Sequence, residues 1–278
     1  MQPIQWYPGH IAKAERELKN QLKLVDVVLE VRDARIPLTS CHPKVRQWIG
    51  DKPRLLVLNR QDTIPKPVRQ EWRAWFESQG EIPYFTNAKR GQGIKAVVKA
   101  TQTLGTAMNE RRHKRGMMPR PVRAVVMGFP NVGKSALINR LVGQKVVESA
   151  RRAGVTRQLR WVRISEAIEL LDAPGVIPSR LEDAAAAIKL AICEDIGDAA
   201  YDNQRIAAAF VELLVELDLE SLLAERYELP VGLLAGDEYV HQLSALRDRG
   251  DLERTARRLL DDFRKGLLGA LSLEYPPE

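Results

Sequence analysis

A run of eight residues, Gly128-Phe129-Pro130-Asn131-Val132-Gly133-Lys134-Ser135, has the residue types and spacing of a phosphate-binding loop. It matches the P-loop pattern G-x-x-x-x-G-K-[ST] and lies between a strand-like and a helix-like segment. In such a loop the backbone N–H groups and the dipole of the following helix attract phosphate. We therefore expect Lys134 to contact the β- and γ-phosphates of a nucleotide and Ser135 to bind Mg²⁺. The predicted cradle also includes Asn131, Val132, Gly133 and Ala136.

Further candidate ligands for the metal and the phosphates follow the P-loop. Asp172-Ala173-Pro174-Gly175 ends an apolar, strand-like segment, which is where an aspartate that holds Mg²⁺ is expected. The N–H group of Gly175 is predicted to face the γ-phosphate. In the intervening loop, Thr156 is the best candidate for a threonine that binds Mg²⁺ in the triphosphate state. The predicted magnesium ligands are therefore Ser135, Thr156 and Asp172.

Asn59-Arg60-Gln61-Asp62 is similar to the guanine-recognition signature N-K-x-D. The carboxylate of Asp62 can accept hydrogen bonds from both N1–H and N2–H₂ of guanine, whereas adenine offers neither donor arrangement and would leave a buried charge unpaired. The predicted nucleotide is therefore GTP. Arg60 stands where the signature has lysine, and its long aliphatic stem can still cover the base. We expect this replacement to change the affinity and not the specificity.

A second base-binding segment, Thr86-Asn87-Ala88-Lys89, resembles the S-A-K loop that contacts guanine O6 through a backbone N–H group. Asn87 replaces the usual serine, which matters little if the contact at Asn87 and Ala88 is made by the main chain. The guanine signature lies about seventy residues before the P-loop, although in ordinary GTPases it comes after the P-loop. This order predicts a circularly permuted GTPase.

The residue that would orient the attacking water is not the usual one. In Ras-like GTPases a glutamine follows the glycine of D-x-x-G, but here that position is Val176, which cannot hydrogen-bond water. His10 is the candidate because it follows the turn-forming pair Pro8-Gly9. The alternative is a structural histidine with no catalytic role. The other three histidines, His42, His113 and His241, are expected on the surface.

The elements that must position these residues alternate between strand and helix in the first part of the chain. Buried strands are predicted around 25–31 and at the segments that lead into the guanine signature, the P-loop and Asp172, with helices between them. This pattern predicts an α/β fold with a mostly parallel sheet. After Pro178 the apolar spacing becomes helical throughout, with helices predicted at 184–193, 203–226, 239–247 and 252–271. We therefore predict a circularly permuted GTPase domain over 1–179 and a small all-α domain over 180–278.

The charge distribution agrees with two regions of different surface chemistry. Residues 1–180 contain 33 basic and 15 acidic residues, a net +18, whereas residues 181–278 contain 10 and 21, a net −11. The basic first part favours an anionic partner such as nucleic acid. No signal peptide, transit peptide or membrane-spanning run is recognisable, and the two cysteines, Cys41 and Cys193, fit no disulfide or metal pattern. We expect a cytoplasmic protein with reduced thiols.

Three segments together resemble the YlqF/RbgA family of bacterial ribosome-assembly GTPases: residues 4–14 (IQWYPGHIAKA), residues 33–37 (DARIP) and the P-loop. The resemblance extends over essentially the whole chain and is densest in the first 180 residues. It implies a GTPase that acts late in the maturation of the large ribosomal subunit. Because the N-terminal segment that carries His10 is free to be ordered by a partner, we also expect a low intrinsic rate and stimulation by that subunit. The implied partners are the precursor of the large subunit and its rRNA, with no membrane and no DNA.

The same resemblance implies two catalytic roles. It indicates His10 as the water-positioning residue. It also indicates that Asn131 helps to hold a K⁺ ion beside the phosphates, where the cation would stabilise charge in the transition state; the alternative is a turn asparagine that tolerates unusual backbone angles. The predicted catalytic set is therefore His10, Asn131, Lys134 and Thr156.

Candidate RNA contacts are taken from the basic runs. One group precedes the P-loop, one lies in the loop before Thr156 and one lies near the end of the chain. They are Arg111, Arg112, Lys114, Arg115, Arg151, Arg152, Arg257, Arg258, Arg264 and Lys265. The alternative for these residues is a solvated helix face, and the net negative charge after residue 180 argues for a larger footprint on the first part.

Two other functions stay open on the sequence. The chain could be a GTP-gated RNA-binding placeholder whose hydrolysis is not needed, or a GTPase acting in tRNA modification. We expect a monomer because no apolar heptad repeat is present.

Overall fold

The computed structural model describes residues 16–143, 161–172, 183–197 and 201–277. In these residues the first part of the chain forms a six-stranded sheet with the strand order β3-β2-β1-β4-β6-β5. The strands are β1 (Val27–Asp33), β2 (Arg54–Asn59), β3 (Pro83–Thr86), β4 (Val122–Met127), β5 (Trp161–Ser165) and β6 (Ile168–Asp172). Only the pair β5 and β6 is antiparallel among the described pairs. The α/β prediction with a mostly parallel sheet is therefore confirmed.

The helices flank this sheet and then form a separate run. Residues 16–22 are helical and are named α1. The helices of the first part are α2 (Val45–Ile49), α3 (Lys66–Ser78), α4 (Ile94–Lys114) and α5 (Lys134–Val142). The helices that follow, α6 (Ala184–Ile192), α7 (Asn203–Glu216), α8 (Ser221–Tyr227), α9 (Gly236–Arg247) and α10 (Leu252–Arg264), make up what we call the helical region.

Strand β1 lies in the middle of the sheet and is buried along its whole length. It pairs with β2 on one side and β4 on the other. Its sequence VVLEVRD is apolar and β-branched apart from three charged residues, as expected for a strand covered on both faces. The buried charge of Glu30 is compensated, because Glu30 forms ion pairs with both Arg32 and Arg54.

Two helix boundaries in the helical region differ from the sequence prediction. The helix predicted over 203–226 is two helices, α7 and α8, because the chain turns at Asp218, which has a left-handed backbone (φ 56°). The helix predicted to reach residue 271 ends at Arg264, and Gly266 follows with φ 74°. Both segments continue the apolar spacing past a turn, so periodicity alone missed the breaks.

The hydrophobic core joins the sheet to the helical region. One cluster contains residues of the sheet, such as Val126, together with Leu190 of α6, Phe210 of α7 and Phe263 of α10. Two smaller clusters form around Leu18 and Val28 and around Trp72 of α3. Because one core contains both parts, the helical region is packed on the sheet and not merely tethered to it. In the part of the chain that the structure describes, no helix is long and apolar enough to cross a bilayer.

Candidate functional site

The predicted P-loop lies where β4 ends and α5 begins, at the carboxyl edge of the parallel strands. Its first glycine, Gly128, has φ 154°, and a Cβ added there would lie 2.2 Å from the carbonyl oxygen of Val31 in β1. No other residue type fits this approach without moving a backbone. The glycine therefore allows the loop to turn directly over the edge of the sheet.

The second glycine, Gly133, is required by a contact with the guanine signature. It has φ 99°, and an added Cβ would lie 2.1 Å from Nδ2 of Asn59. Asn59 Nδ2 donates to the carbonyl of Val132 at 2.8 Å, so the two motifs are directly bonded. The two motifs lie about seventy residues apart in the sequence but are in direct contact at the site.

Helix α5 starts at Lys134, which is buried and whose Nζ donates to the carbonyl of Phe129 at 2.7 Å. Ser135 and Ala136 lie half-buried on the first turn of the helix. The N-terminus of α5 therefore faces the loop. Backbone N–H groups at such a helix N-terminus bind phosphate.

Asn59 connects three segments and is itself buried. Besides its bond to Val132, its Oδ1 accepts from Thr86 Oγ1 at 3.1 Å and from the N–H group of Ala88 at 3.0 Å. The guanine signature, the Thr86–Lys89 segment and the P-loop therefore meet at one side chain. Each polar atom of the Asn59 amide is satisfied, which fixes its orientation.

The other residues of the two base motifs lie around Asn59. Asn87 is buried, and its Oδ1 accepts from the N–H group of Arg90 at 2.9 Å, which closes the turn after β3. Gln61 accepts from Arg69 at 2.8 Å. Asp62 is the middle residue of the short 3₁₀ turn Gln61–Thr63 and is exposed, so its carboxylate is accessible to a ligand.

Arg60, the departure from the N-K-x-D pattern, connects the base motif to the P-loop backbone. It has a left-handed backbone (φ 67°), and its Nη2 donates to the carbonyl of Asn131 at 2.6 Å. Its Nε lies 3.4 Å from Oδ2 of Asp33. A guanidinium can make both contacts at once because it carries several donors in a fixed plane, which a lysine ammonium does not.

Asn131 itself has a left-handed backbone (φ 56°), which asparagine tolerates better than most residues. Its Nδ2 donates to the carbonyl of Glu194, just after α6, at 2.8 Å. No described residue donates a hydrogen bond to its Oδ1. This orientation is compatible with either alternative left open by the sequence, the turn residue or the cation ligand.

Asp33 and Arg35 belong to the D-A-R-I-P segment, whose sequence predicts no role for either residue. In the structure Arg35 Nε and Nη2 donate to the two oxygens of Asp33 at 3.0 and 2.7 Å, and both residues are fully buried. Burial opposes the charged carboxylate, but the guanidinium groups of Arg35 and Arg60 outweigh it and hold the pKa of Asp33 below its usual value. The two opposite charges in the D-A-R-I-P segment were the only available signal in the sequence.

Several predicted site residues lie outside the described residues. These are His10, Thr156, Gly175, Arg151 and Arg152. Asp172 is described as the last residue of β6, and in the register of the sheet it pairs with Val126 of β4. The backbone of Asp172 is therefore at the same edge of the sheet as the P-loop and Ser135. Both residue types carry side-chain oxygens, the ligand atoms that Mg²⁺ prefers.

The expectation that His42 lies on the surface is wrong. His42 is 5% exposed, and its ring lies 4.3 Å from the ring of Trp48 and 6.2 Å from that of Phe129 in the P-loop, measured between centroids. Its Nδ1 accepts from the N–H group of Lys44 at 3.1 Å. Its neighbours Cys41 and Pro43 belong to no helical or strand-like apolar pattern, so nothing in the sequence indicated burial. His113 and His241 are exposed, as expected.

The predicted RNA contacts fall into two structurally different groups. At the end of α4, the side chains of Arg111, Lys114 and Arg115 are exposed, and none forms an ion pair with another described residue; Arg112 donates to the carbonyl of Met118. On α10 the basic side chains are already paired within the protein. Arg257 bonds Glu253, Arg258 bonds Asp248 and Lys265 bonds Asp261, while the Arg264 side chain is only 12% exposed.

Comparison with known proteins gives a consistent picture. The profile of the family described as 50S ribosome-binding GTPase matches residues 123–222. A protein named ribosome biogenesis GTPase A from Bacillus cereus is 35% identical, and the alignment covers 99% of this chain and 95% of that protein. The mitochondrial ribosome-associated GTPase 1 of Mus musculus is 31% identical over 97% of this chain and 89% of that protein.

The fold is also found among solved structures. A GDP-bound structure of TM YlqF matches with a TM-score of 0.66 and 25% identity, covering 95% of this chain and all of that chain. The GNP-bound YlqF from T. maritima matches with a TM-score of 0.65 and 24% identity, which indicates the same fold.

Proposed function

The chain belongs to the ribosome biogenesis GTPase A family, and on this premise we propose that it is a GTP-hydrolysing switch that binds the precursor of the large ribosomal subunit and promotes its late assembly. Membership of the family makes the protein a guanine-nucleotide-binding GTPase. The identity of its target and the steps of its cycle are our proposal. We further propose that it acts as a monomer in the cytoplasm.

The observation that carries the proposal is the bonding of Asn59. This side chain joins the guanine signature, the second base segment and the P-loop, with contacts of 2.8 to 3.1 Å. A nucleotide whose phosphates lie on the P-loop would therefore have its base beside Asp62 and Ala88. The contacts of Asn59 therefore support binding of one nucleotide by all three motifs, although their order in the chain is permuted.

The phosphates would be held by the N–H groups of the P-loop and by Lys134, as in other P-loop proteins. Ser135, Asp172 and Thr156 would hold Mg²⁺, which neutralises the developing charge on the β- and γ-oxygens when it is bound. His10 would orient the attacking water, because Val176 has no hydrogen-bonding group. Asp62 would select guanine over adenine by accepting from its two neighbouring donors.

Asn131 would contribute a ligand for K⁺. Because its Nδ2 is bonded to Glu194, the amide oxygen is the atom that is available to a cation. The cation would supply positive charge beside the leaving group. Equal hydrolysis rates in KCl and NaCl would show that Asn131 is a turn residue only.

The proposed RNA contacts are those on α4. Arg111, Lys114 and Arg115 have no acidic partner among the described residues, so their charges are available to phosphates. Replacing all three with glutamate should weaken binding to large-subunit rRNA and flatten its salt dependence, lowering the log–log slope by about two to three. Replacing Arg257 and Lys265, which are already ion-paired, with glutamate should alter the slope by less for each replaced charge. An equal effect per replaced charge in the two sets would contradict the preference for α4.

The function itself is tested by GTP hydrolysis in potassium buffer, with and without purified large ribosomal subunits. We expect strong stimulation by the subunits that is lost in His10→Ala, while His241→Ala, an exposed histidine on α9, behaves like the native protein. No stimulation, with tight GTP binding retained, would refute the assigned partner. Normal subunit maturation in cells that carry only His10→Ala, with hydrolysis abolished, would favour the placeholder.

A further inference from the structure

The end of helix α6 has more external partners than a helix end requires. Four successive carbonyls, those of residues 191–194, each accept a hydrogen bond from a side chain of another element. We call residues 191–195 the α6 corner. Its partners come from the P-loop, from the segment after β1 and from α10, so it connects the nucleotide site with the helical region.

The backbone of the corner forms a Schellman motif, which is a common helix C-terminus. The N–H group of Glu194 bonds the carbonyl of Ala191 at 3.0 Å and that of Asp195 bonds the carbonyl of Leu190 at 2.9 Å, which is the Schellman arrangement. The left-handed position of this motif is usually glycine, but here it is Glu194 with φ 63°. A residue with a Cβ is strained in this conformation, so the surrounding contacts must hold it.

Two contacts hold the corner from the side of the nucleotide site. Asn131 Nδ2 donates to the carbonyl of Glu194 at 2.8 Å, and Arg35 Nη2 donates to the carbonyl of Cys193 at 3.0 Å. Arg35 is paired with Asp33, which Arg60 also contacts, and Arg60 donates to the carbonyl of Asn131. The contacts form a closed ring that starts and ends at Asn131.

One residue holds the corner from the helical region. Arg264 of α10 donates through Nε to the carbonyl of Ile192 at 3.0 Å and through Nη2 to the carbonyl of Ala191 at 2.9 Å. Its positive charge also lies at the negative end of the α6 dipole. Arg264 also donates to the hydroxyl of Tyr201 at 3.0 Å and lies 3.9 Å from a carboxyl oxygen of Asp261. It forms no hydrogen bond with the P-loop or the base motifs among the described residues, so its polar connection to the nucleotide site runs through the corner.

We propose that the α6 corner is a positioning element of the nucleotide site: docked, it holds Asn131 and so retains the nucleotide, and a partner that displaces the helical region releases the nucleotide by withdrawing the corner. Only the identity of the displacing partner rests on the proposed function. The coupling between Arg264 and the P-loop is a property of the isolated chain.

The test is the dissociation rate of N-methylanthraniloyl-GDP from the full chain, measured by chase with GDP. Arg264→Met, which removes the donors to the corner, should speed release by about three- to tenfold. Arg254→Met is the matched control, because it removes an arginine of the same helix that pairs with Asp248 and does not touch the corner. We expect less than about twofold from that control.

A double-mutant cycle separates coupling from general loosening. Asn131→Gly removes the side chain that bonds Glu194 but accepts the left-handed backbone. In this background Arg264→Met should have little further effect on release. Equal effects in both backgrounds, or equal effects of Arg264→Met and Arg254→Met, would overturn the proposal.

If Arg264→Met does not fold, Arg264→Lys keeps the charge with fewer directed donors and should give a smaller increase in the release rate, and an unchanged rate would contradict the proposal. The experiment contains no ribosomal subunits, so its failure leaves the proposed partner untouched, and a failure of subunit stimulation leaves this coupling measurable.

Discussion

The P-loop is bonded on two sides, and the two sides are built differently. On the base side, Asn59 binds the carbonyl of Val132 and the segment at Thr86 and Ala88, and all these residues belong to recognisable motifs. On the corner side, Asn131 binds a main-chain carbonyl after α6. Both partners of the Asn59–Val132 contact lie in motifs, whereas Glu194 belongs to none, so a sequence pattern marks the first contact and not the second.

The two sides also differ in how well their polar groups are satisfied. The amide of Asn59 has partners for its oxygen and its nitrogen. In the corner, both carboxyl oxygens of Asp195 are buried without a hydrogen-bond partner in the described part of the chain. A fully paired cluster fixes one arrangement, whereas an unpaired buried carboxyl makes the packed state less favourable. We therefore infer that the corner side is the one that can be displaced.

The largest effect should come from breaking the buried ion pair that supports the corner. Arg35→Met removes the close cationic partner of the buried Asp33 and leaves the more distant Arg60 and the N–H group of residue 35, and we expect a loss of about 4 kcal/mol in the free energy of unfolding by urea. The exposed pair of Arg257 and Glu253 gives the contrast, since Arg257→Met should cost at most about 0.5 kcal/mol. Adding Asp33→Asn to Arg35→Met should recover part of the loss. A cost below about 1 kcal/mol would mean that the pair does not support the corner.

A somewhat smaller effect is expected on the base side. Asn59→Ala leaves the Val132 carbonyl and the Ala88 N–H group without their partner, and we expect a loss of about 3 kcal/mol in unfolding free energy together with weaker GDP binding. Asn109→Ala is the control, because Asn109 bonds the backbone of Arg120 far from the P-loop. It should lower stability without changing GDP affinity. Unchanged GDP binding in Asn59→Ala would show that the contacts of this side chain do not hold the base motifs and the P-loop in their binding arrangement.

The smallest effect depends on pH and concerns Asp195. Burial raises the pKa of this carboxyl well above its usual value, and Asp33 adds to the shift, whereas Arg60, Arg35 and Lys134 oppose it. The folded state therefore retains a proton that the unfolded chain has lost. The stability that comes from this proton is complete below the unfolded pKa of about 4 and is lost as pH rises through the higher folded pKa.

Asp195→Asn removes this titration. The stability of the variant minus that of the native chain should increase from pH 5 to pH 7, by at most about 1.4 kcal/mol per pH unit. Using the difference cancels the other titrating groups, which both chains share. A difference that is independent of pH would show that Asp195 is charged in the folded chain.

Much of the fold was predictable from local pattern. The strands before the guanine signature, the P-loop and Asp172 are short apolar runs that end at polar motif residues, and the structure has β2, β4 and β6 there. The breaks at Asp218 and Gly266 were missed because apolar spacing continues across them. His42 was misplaced because its burial depends on Trp48 and Phe129, which reach it from other segments.

By itself, the sequence determined the nucleotide class and the family, because a P-loop and a guanine signature require particular residue types at fixed spacing. It also predicted Asp62 as the residue that selects guanine. Only the tertiary structure decided that Asn131, Arg35 and Arg264 meet at the end of α6. Their shared partners are backbone carbonyls, which carry no sequence identity and become neighbours only when the helical region packs on the sheet.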